Sequence, residues 1–160
     1  MSKAIFTLEG NVLRVERNFA APLELVWKAW TKAELLDQWW APKPWKSVTQ
    51  YMNFQVGGVR LYAMVGPNQE EHWCVTSYHS IKVHQSFTGE DAFSDKEGNV
   101  NKDFPVAKFT NTFEWDGTDT KVVITTAYAS EEALKQILEM GMEQGLSMAF
   151  ENLDEVLSEA

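Results

Sequence analysis

The sequence predicts an α+β fold in which a curved antiparallel sheet of six to seven strands wraps around one long C-terminal helix. Two observations carry this prediction. Strand-like segments recur at regular intervals with turn signals between them, and apolar side chains recur at helical spacing from Ser130 onward. The expected strands span residues 12–19, 47–56, 59–65, 71–80, 83–91, 106–115 and 121–128. The 160 residues fit one domain whose core needs no disulfide.

Two short helices are expected between the first and second strands. Residues 12–19 alternate apolar and polar side chains, which is typical of an edge strand. Pro22 then suits the first position of a helix that carries Trp30 on its apolar face. A second helical piece over residues 32–38 ends before Pro42, which prevents its continuation.

The C-terminal segment is predicted to be one continuous helix of about 42 Å. Ser130 is a suitable N-cap, and Glu131 and Glu132 lie in the first turn, where the helix dipole favours carboxylates. Gly141 and Gly145 lie one turn apart, so they either let the helix approach the sheet closely or leave room for a ligand. The broad apolar stripe contains Leu134, Ile137, Leu138, Gly141, Met142, Gly145, Leu146, Ala149, Leu153, Val156 and Leu157.

Composition and charge exclude several classes of function. The net charge is −9 and the basic residues are scattered, which argues against nucleic-acid binding and against adsorption to anionic membranes. No apolar segment approaches the ~20 residues that span a bilayer, and the N-terminal residues lack the apolar run of a signal peptide. The single cysteine excludes an internal disulfide. We therefore expect a cytoplasmic protein with no cofactor.

The histidines and the cysteine do not form a convincing catalytic or metal site. His72, His79 and His84 lack the spacing of metal ligands, so we expect structural or surface roles and no bound metal. Cys74 shares a strand face with His72, but a nucleophilic site also needs a group that orients the base. A small buried apolar residue is the expected role of Cys74.

Residues 91–103 form a polar segment that we expect to be a solvated hairpin loop. Oxygen-bearing side chains alternate from Asp95, but the glycine and glutamate positions of a calcium-binding loop are occupied by valines. The adjacent carboxylates Glu90 and Asp91 are expected at the end of a strand, in water. No catalytic residue is predicted from these groups.

Two amide side chains interrupt otherwise apolar strand faces. Asn111 shares a face with Phe109 and Phe113, and Gln85 shares one with Phe87. Buried amides need hydrogen-bond partners, and ligand pockets are typically apolar with a few placed polar groups. Asn111 and Gln85 are therefore either ligand-orienting groups or amides that neighbouring groups satisfy. The remaining predicted ligand-binding residues are Trp30, Phe54, Tyr62, Trp73, Phe87, Phe109, Phe113 and Met142.

Four segments occur in an order and spacing that match a known family. They are residues 21–31 (APLELVWKAWT), residues 36–42 (LDQWWAP), the glycine pair at 57–58 with the aromatic strand that follows, and residues 140–146 (MGMEQGL). In these segments the chain resembles the heat-shock-protein ATPase activator homologue family of the START-like (SRPBCC) superfamily. The resemblance extends from about residue 12 to the C-terminus and implies the helix-grip fold.

The resemblance implies several functions. Members of the superfamily often bind an apolar small molecule between the sheet and the long helix, some are polyketide cyclases, and the eukaryotic namesake stimulates a chaperone ATPase. This chain departs from the pattern at three positions. Asn53 stands where relatives often carry an acidic residue, Gln55 where they carry arginine, and Met142 where the helix signature has tryptophan.

The expected function is noncatalytic binding of a hydrophobic or aromatic small molecule in a cavity between the sheet and the C-terminal helix. One alternative is a protein-interaction module that modulates a chaperone ATPase or another protein partner. Its candidate exposed aromatic residues are Trp39, Trp40 and Trp45. The other alternative is a polyketide cyclase-like or hydrolase enzyme, for which the titratable candidates are Tyr62, His72 and His84. The sequence leaves a homodimer open.

Overall fold

The computed structural model describes residues 3–159 and has an α+β fold with an eight-stranded antiparallel sheet and four helices. The strands are β1 (Ile5–Glu9), β2 (Val12–Phe19), β3 (Lys46–Met52), β4 (Val59–Val65), β5 (Glu71–Lys82), β6 (Ser86–Ser94), β7 (Ala107–Trp115) and β8 (Thr120–Ala127). The helices are α1 (Leu23–Thr31), α2 (Ala33–Trp39), α3 (Glu131–Glu139) and α4 (Met142–Ser158). None of the helices in this described part is long and apolar enough to cross a membrane.

The strand order across the sheet is β1-β2-β8-β7-β6-β5-β4-β3. The expected count of six to seven strands was too low, because β1 pairs with β2 and takes the edge position that residues 12–19 were predicted to hold. Gly10, with φ +60°, occupies the left-handed conformation that the tight turn between these strands requires. The sequence of β1 lacks a clear alternation of buried apolar and exposed polar residues, since Ile5 and Leu8 are both exposed.

The boundary between β5 and β6 differs from the prediction. Strand β5 continues to Lys82, and residues 83–85 form a turn in which His84 has φ +63°. Strand β6 consequently begins at Ser86 and continues to Ser94. This shift removes Gln85 from the strand and places Asp91 within it.

The C-terminal segment is two helices, not one. The predicted N-cap is confirmed, because the Ser130 side chain accepts a hydrogen bond from the Ala133 amide at 3.1 Å. Helix α3 ends where Gly141 adopts a left-handed conformation with φ +87° and donates its amide hydrogen to the Leu138 carbonyl at 3.0 Å. Such a glycine commonly terminates a helix, so the apolar stripe is divided between α3 and α4.

The main core packs helices α1, α2 and α4 against one face of the sheet. Phe150 of α4 contacts Phe19 of β2 edge-on, with ring centroids 5.5 Å apart, and lies 6.3 Å from both Trp30 and Trp39. This aromatic cluster fixes the C-terminal half of α4 on the sheet. The N-terminal half of α4 lies beside this cluster, over a different part of the sheet.

Candidate ligand-binding cavity

A cavity of about 380 Å³ lies between the sheet and the junction of α3 and α4. The side chains that the two helices contribute are only half-buried at Ile137, Met142 and Leu146. Farther along α4, Phe150 and Leu153 are fully buried in the core. One end of the helical stripe thus covers the cavity and the other end belongs to the core.

The two glycines of this region are not close-approach positions. A Cβ at Gly141 would meet no atom within 4 Å, and a Cβ at Gly145 would meet only Pro42 Cγ, at the ordinary contact distance of 3.8 Å. Both glycines line the cavity. The prediction that they allow tight helix–sheet contact was wrong, whereas the prediction that they leave space agrees with their positions.

The walls of the cavity are mostly aromatic and aliphatic. Strands β4 to β8 direct alternate side chains toward the helices, because successive residues of a strand face opposite sides of the sheet. Aromatic residues on these positions include Tyr62, Tyr78, Phe87 and Phe109, and Trp30 of α1 adds an indole. Such walls can bury a large part of an apolar ligand.

Two buried polar atoms of the cavity lining have no hydrogen-bond partner within residues 3–159. They are the Trp30 Nε1 donor and the Asn111 Oδ1 acceptor, on side chains whose residues are 3% and 6% exposed. An unsatisfied buried polar group costs about 1–3 kcal/mol. One donor and one acceptor are therefore available to a molecule that enters the cavity.

Asp91 is the carboxylate of the cavity. It lies on β6, opposite Thr76 of β5, and the Thr76 hydroxyl donates to Asp91 Oδ1 at 2.6 Å. Burial raises the pKa of Asp91 from 3.8 to about 6, and the Thr76 hydrogen bond and the charge of Arg60 offset part of this effect. The sequence prediction placed Asp91 in water because it ended the strand there.

Arg60 is the cation of the cavity lining, but its guanidinium is hydrogen-bonded to residues other than Asp91. Its guanidinium donates to Ser47 Oγ at 2.8 Å and to Asp37 Oδ1 at 3.4 Å, and it stacks 3.8 Å from the centre of the Tyr62 ring. Among the described residues, Asp91 forms no ion pair with Arg60 or with another basic side chain.

The Asp91 pKa gives a testable effect of pH on stability. The folded protein holds the Asp91 proton more tightly than the unfolded chain, so ionisation of Asp91 disfavours the fold. This cost develops as the pH rises from about 4 and is complete above about 6. We expect Asp91→Asn to raise the free energy of unfolding by about 1–3 kcal/mol at pH 7.5 and by little near pH 4.

Urea denaturation at the two pH values measures this difference. Glu90→Gln is the matched control, because Glu90 is the adjacent carboxylate and points away from the cavity. Equal changes in stability at both pH values, or a loss of stability at pH 7.5, would contradict the assignment.

The thiol and the phenol groups of the cavity stay protonated at neutral pH. Burial raises the pKa of the Cys74 thiol to about 12 and that of Tyr128 to about 12, and it raises the pKa of Tyr62 well above its usual value. The Tyr62 hydroxyl also accepts a hydrogen bond from Trp40 Nε1 at 3.0 Å. Cys74 is therefore not a thiolate nucleophile.

The structure brings six of the ten predicted ligand-binding residues to the cavity. These are Trp30, Tyr62, Phe87, Phe109, Asn111 and Met142. Residues of the lining that sequence reasoning missed include Arg60, Thr76 and Asp91. The signal for Arg60 and Thr76 was the alternation of side chains on β4 and β5, where they share faces with Tyr62 and Tyr78. Asp91 was missed because the predicted strand ended there, whereas β6 continues to Ser94.

The other four predicted residues do not line the cavity. Gln85 lies in the exposed turn before β6, and Trp73 lies on β5 with its Nε1 donating to Glu71. Phe54 and Phe113 belong to the aromatic core, since their ring centroids lie 6.0 and 5.0 Å from that of Trp27.

The tryptophans proposed for a protein interface are not exposed. Trp39 is fully buried, Trp40 is half-buried against Tyr62, and Trp45 is half-buried with its ring 5.3 Å from that of His72. The predicted exposed patch is therefore wrong. The sequence motif around these residues serves packing because the short α2 turns them inward.

All three histidines are exposed, which corresponds to the surface alternative of the two expected roles. His72 lines the cavity. The ring centroid of His84 lies 5.9 Å from that of Trp27, in the aromatic core. No three histidine, cysteine or acidic side chains within residues 3–159 are arranged to hold a metal ion.

Solved structures from several bacteria have the same fold. A protein from Arthrobacter aurescens is 28% identical, with a TM-score of 0.90 over 98% of this chain and 92% of that chain. Protein Ms6760 from Mycobacterium smegmatis is 29% identical, with a TM-score of 0.87 over 96% of this chain and 94% of that chain. A protein from Staphylococcus epidermidis is 27% identical, with a TM-score of 0.86 over 96% and 93%.

The family assignment rests on a match over nearly the whole chain. No curated protein matches the sequence. The family model described as "Activator of Hsp90 ATPase homolog 1-like protein" matches residues 20–158 and so covers both short helices, the six strands β3 to β8 and the C-terminal helices. The resemblance seen in the sequence is thus confirmed, and the chain belongs to the Activator of Hsp90 ATPase homolog 1-like family.

Proposed function

We propose that the protein binds a hydrophobic or aromatic small molecule, without chemical conversion, in the cavity beneath the α3–α4 junction. The observation that carries the proposal is the pair of unpartnered atoms, Trp30 Nε1 and Asn111 Oδ1, in an apolar cavity of about 380 Å³. This volume lies in the range of about 300–1,000 Å³ that small-molecule sites occupy. A ligand with one acceptor and one donor would satisfy both atoms while its apolar body contacts the walls.

The noncatalytic character of the proposal rests on the titratable groups. Nucleophilic catalysis needs an activated nucleophile beside a base. The Cys74 thiol, with a pKa raised to about 12, stays protonated, and Asp91 is bonded to the Thr76 hydroxyl. These groups favour binding over a hydrolase or cyclase activity.

The proposal is tested by measuring both a native and a defined ligand. Native mass spectrometry of protein purified from its own cells should show a retained small molecule. Titration calorimetry with naphthylethanol, a neutral bicyclic aromatic alcohol, should show binding with one-to-one stoichiometry. Protein that retains nothing and does not bind naphthylethanol would overturn the proposal.

Filling the cavity should abolish binding. Met142 lies at the start of α4, half-buried, and its side chain lines the cavity. A Met142→Trp substitution places an indole in this space, so we expect it to weaken naphthylethanol binding by at least about tenfold, which corresponds to about 1.4 kcal/mol. The thermal midpoint of the variant, measured by circular dichroism, establishes that it is folded.

Met148→Trp is the matched control. Met148 lies on the same helix and is 43% exposed, and it is not part of the cavity lining. This variant should bind naphthylethanol like the wild type. If Met142→Trp is folded and keeps wild-type affinity, the ligand does not occupy the cavity.

A further inference from the structure

The cavity contains a carboxylate without a matching cation. Asp91 Oδ1 accepts from Thr76, and no described residue donates to Asp91 Oδ2. Arg60 forms an ion pair with Asp37 at 3.4 Å and is stacked on the Tyr62 ring, so its charge offsets that of Asp91 only in part. Asp91 therefore has no ion-pair partner among the described residues, although it lies in a largely apolar cavity where an isolated anion is costly.

Three tyrosines of the cavity lie within electrostatic range of this carboxylate. Burial is the main cause that raises the pKa values of Tyr62, Tyr78 and Tyr128, and the charge of Asp91 adds to the rise in each of them. The three rings line the same cavity. Faces of aromatic rings attract cations, and this attraction adds to that of a nearby carboxylate.

The helices that close the cavity add no opposing charge. The lining residues of α3 and α4 are uncharged, among them Ile137, Met142 and Leu146. His72 is a further titratable residue of the lining, and it is exposed. The cavity lining thus presents one carboxylate, Asp91, one guanidinium, Arg60, that is paired with Asp37, and otherwise mostly aromatic and apolar walls.

We propose that the ligand carries a protonated amine on an apolar or aromatic body, and that Asp91 binds the amine. The inference rests on the proposed function, since it names the class of ligand for the same cavity. The ammonium group donates to the free Asp91 Oδ2 and lies against the Tyr78 and Tyr128 rings, since Arg60 already stacks on the Tyr62 ring. The apolar body extends along Phe87 and Phe109.

The test compares three probes of the same shape by titration calorimetry at pH 7.5. Naphthylethylamine is cationic, naphthylethanol is neutral and naphthylacetate is anionic. Because a charge-assisted hydrogen bond is stronger than a neutral one, we expect the amine to bind about 10- to 100-fold more tightly than the alcohol, and the acetate to bind most weakly.

Asp91→Asn separates this charge effect from general attraction to an acidic protein. The asparagine keeps the size of the side chain and can accept from Thr76, so we expect the amine to bind no more tightly than the alcohol, with alcohol binding retained. Glu90→Gln changes the net charge by the same amount outside the cavity and should keep the preference for the amine.

The outcomes distinguish the two proposals. If the wild type binds the alcohol as tightly as the amine, or if Asp91→Asn keeps the preference, the cavity binds ligands but the amine assignment is wrong. If the wild type binds none of the three probes and retains no small molecule from its own cells, the proposed function itself fails.

Discussion

Trp39→Ala is expected to lower the free energy of unfolding by about 3–5 kcal/mol, because it empties a fully buried position of the core. The Trp39 indole donates to the Ala29 carbonyl at 2.9 Å, and its ring centroid lies 4.7 Å from that of Trp30 and 5.2 Å from that of Trp40. The substitution therefore removes a hydrogen bond, two edge-on ring contacts and a large apolar area. Urea denaturation followed by circular dichroism measures the loss.

Trp115→Ala provides the same chemical change at an exposed site. Trp115 is 45% exposed at the end of β7, so its replacement should cost less than about 1 kcal/mol. A loss of similar size in the two variants would show that the cluster around Trp39 does not hold α2 in place.

The second large effect is expected at the ion pair between β2 and α4. Arg17 is 6% exposed and donates to both carboxylate oxygens of Asp154, at 2.7 and 2.6 Å, while its guanidinium lies 4.6 Å from the centre of the Phe19 ring. Arg17→Met leaves Asp154 without its partner in a partly buried position. We expect a loss of about 2–4 kcal/mol in the free energy of unfolding.

Arg14→Met is the control for Arg17, since Arg14 lies on the same strand and pairs with Glu16 at 3.0 Å on the exposed face. Exposed pairs contribute little, so this variant should change stability by less than about 1 kcal/mol. A double variant, Arg17→Met with Asp154→Leu, should recover part of the loss. Arg17→Met with wild-type stability would show that the pair contributes nothing net.

The sequence predicts the two-layer arrangement but not the break in its C-terminal helix. Apolar residues continue at helical spacing through Gly141, and Gly145, four residues later, is helical. Only the backbone angle distinguishes them, since Gly141 has φ +87° and terminates α3. The spacing of apolar side chains does not reveal that a glycine within the stripe adopts a left-handed conformation.

The candidate site was predictable where strand boundaries were correct. Asn111 lies on a strand whose predicted and observed starts differ by one residue, so its shared face with Phe109 is as expected. At the β5–β6 turn, Val83 extended the apparent alternation of β6, while His84 adopts a left-handed conformation that ends it. This difference moved Gln85 out of the sheet. Asp91 was missed because the predicted strand ended at that residue, whereas β6 continues to Ser94.

The division of the C-terminal helical stripe has a consequence for how this scaffold can change over evolution. Met142 and Leu146 line the cavity and are half-buried, so replacing them alters the shape of the cavity at a smaller cost in folding free energy than replacing a fully buried residue. Phe150 and Leu153, farther along α4, supply the packing that keeps the chain folded. Substitutions can therefore change the shape of the cavity at one end of the helix while the other end preserves the fold.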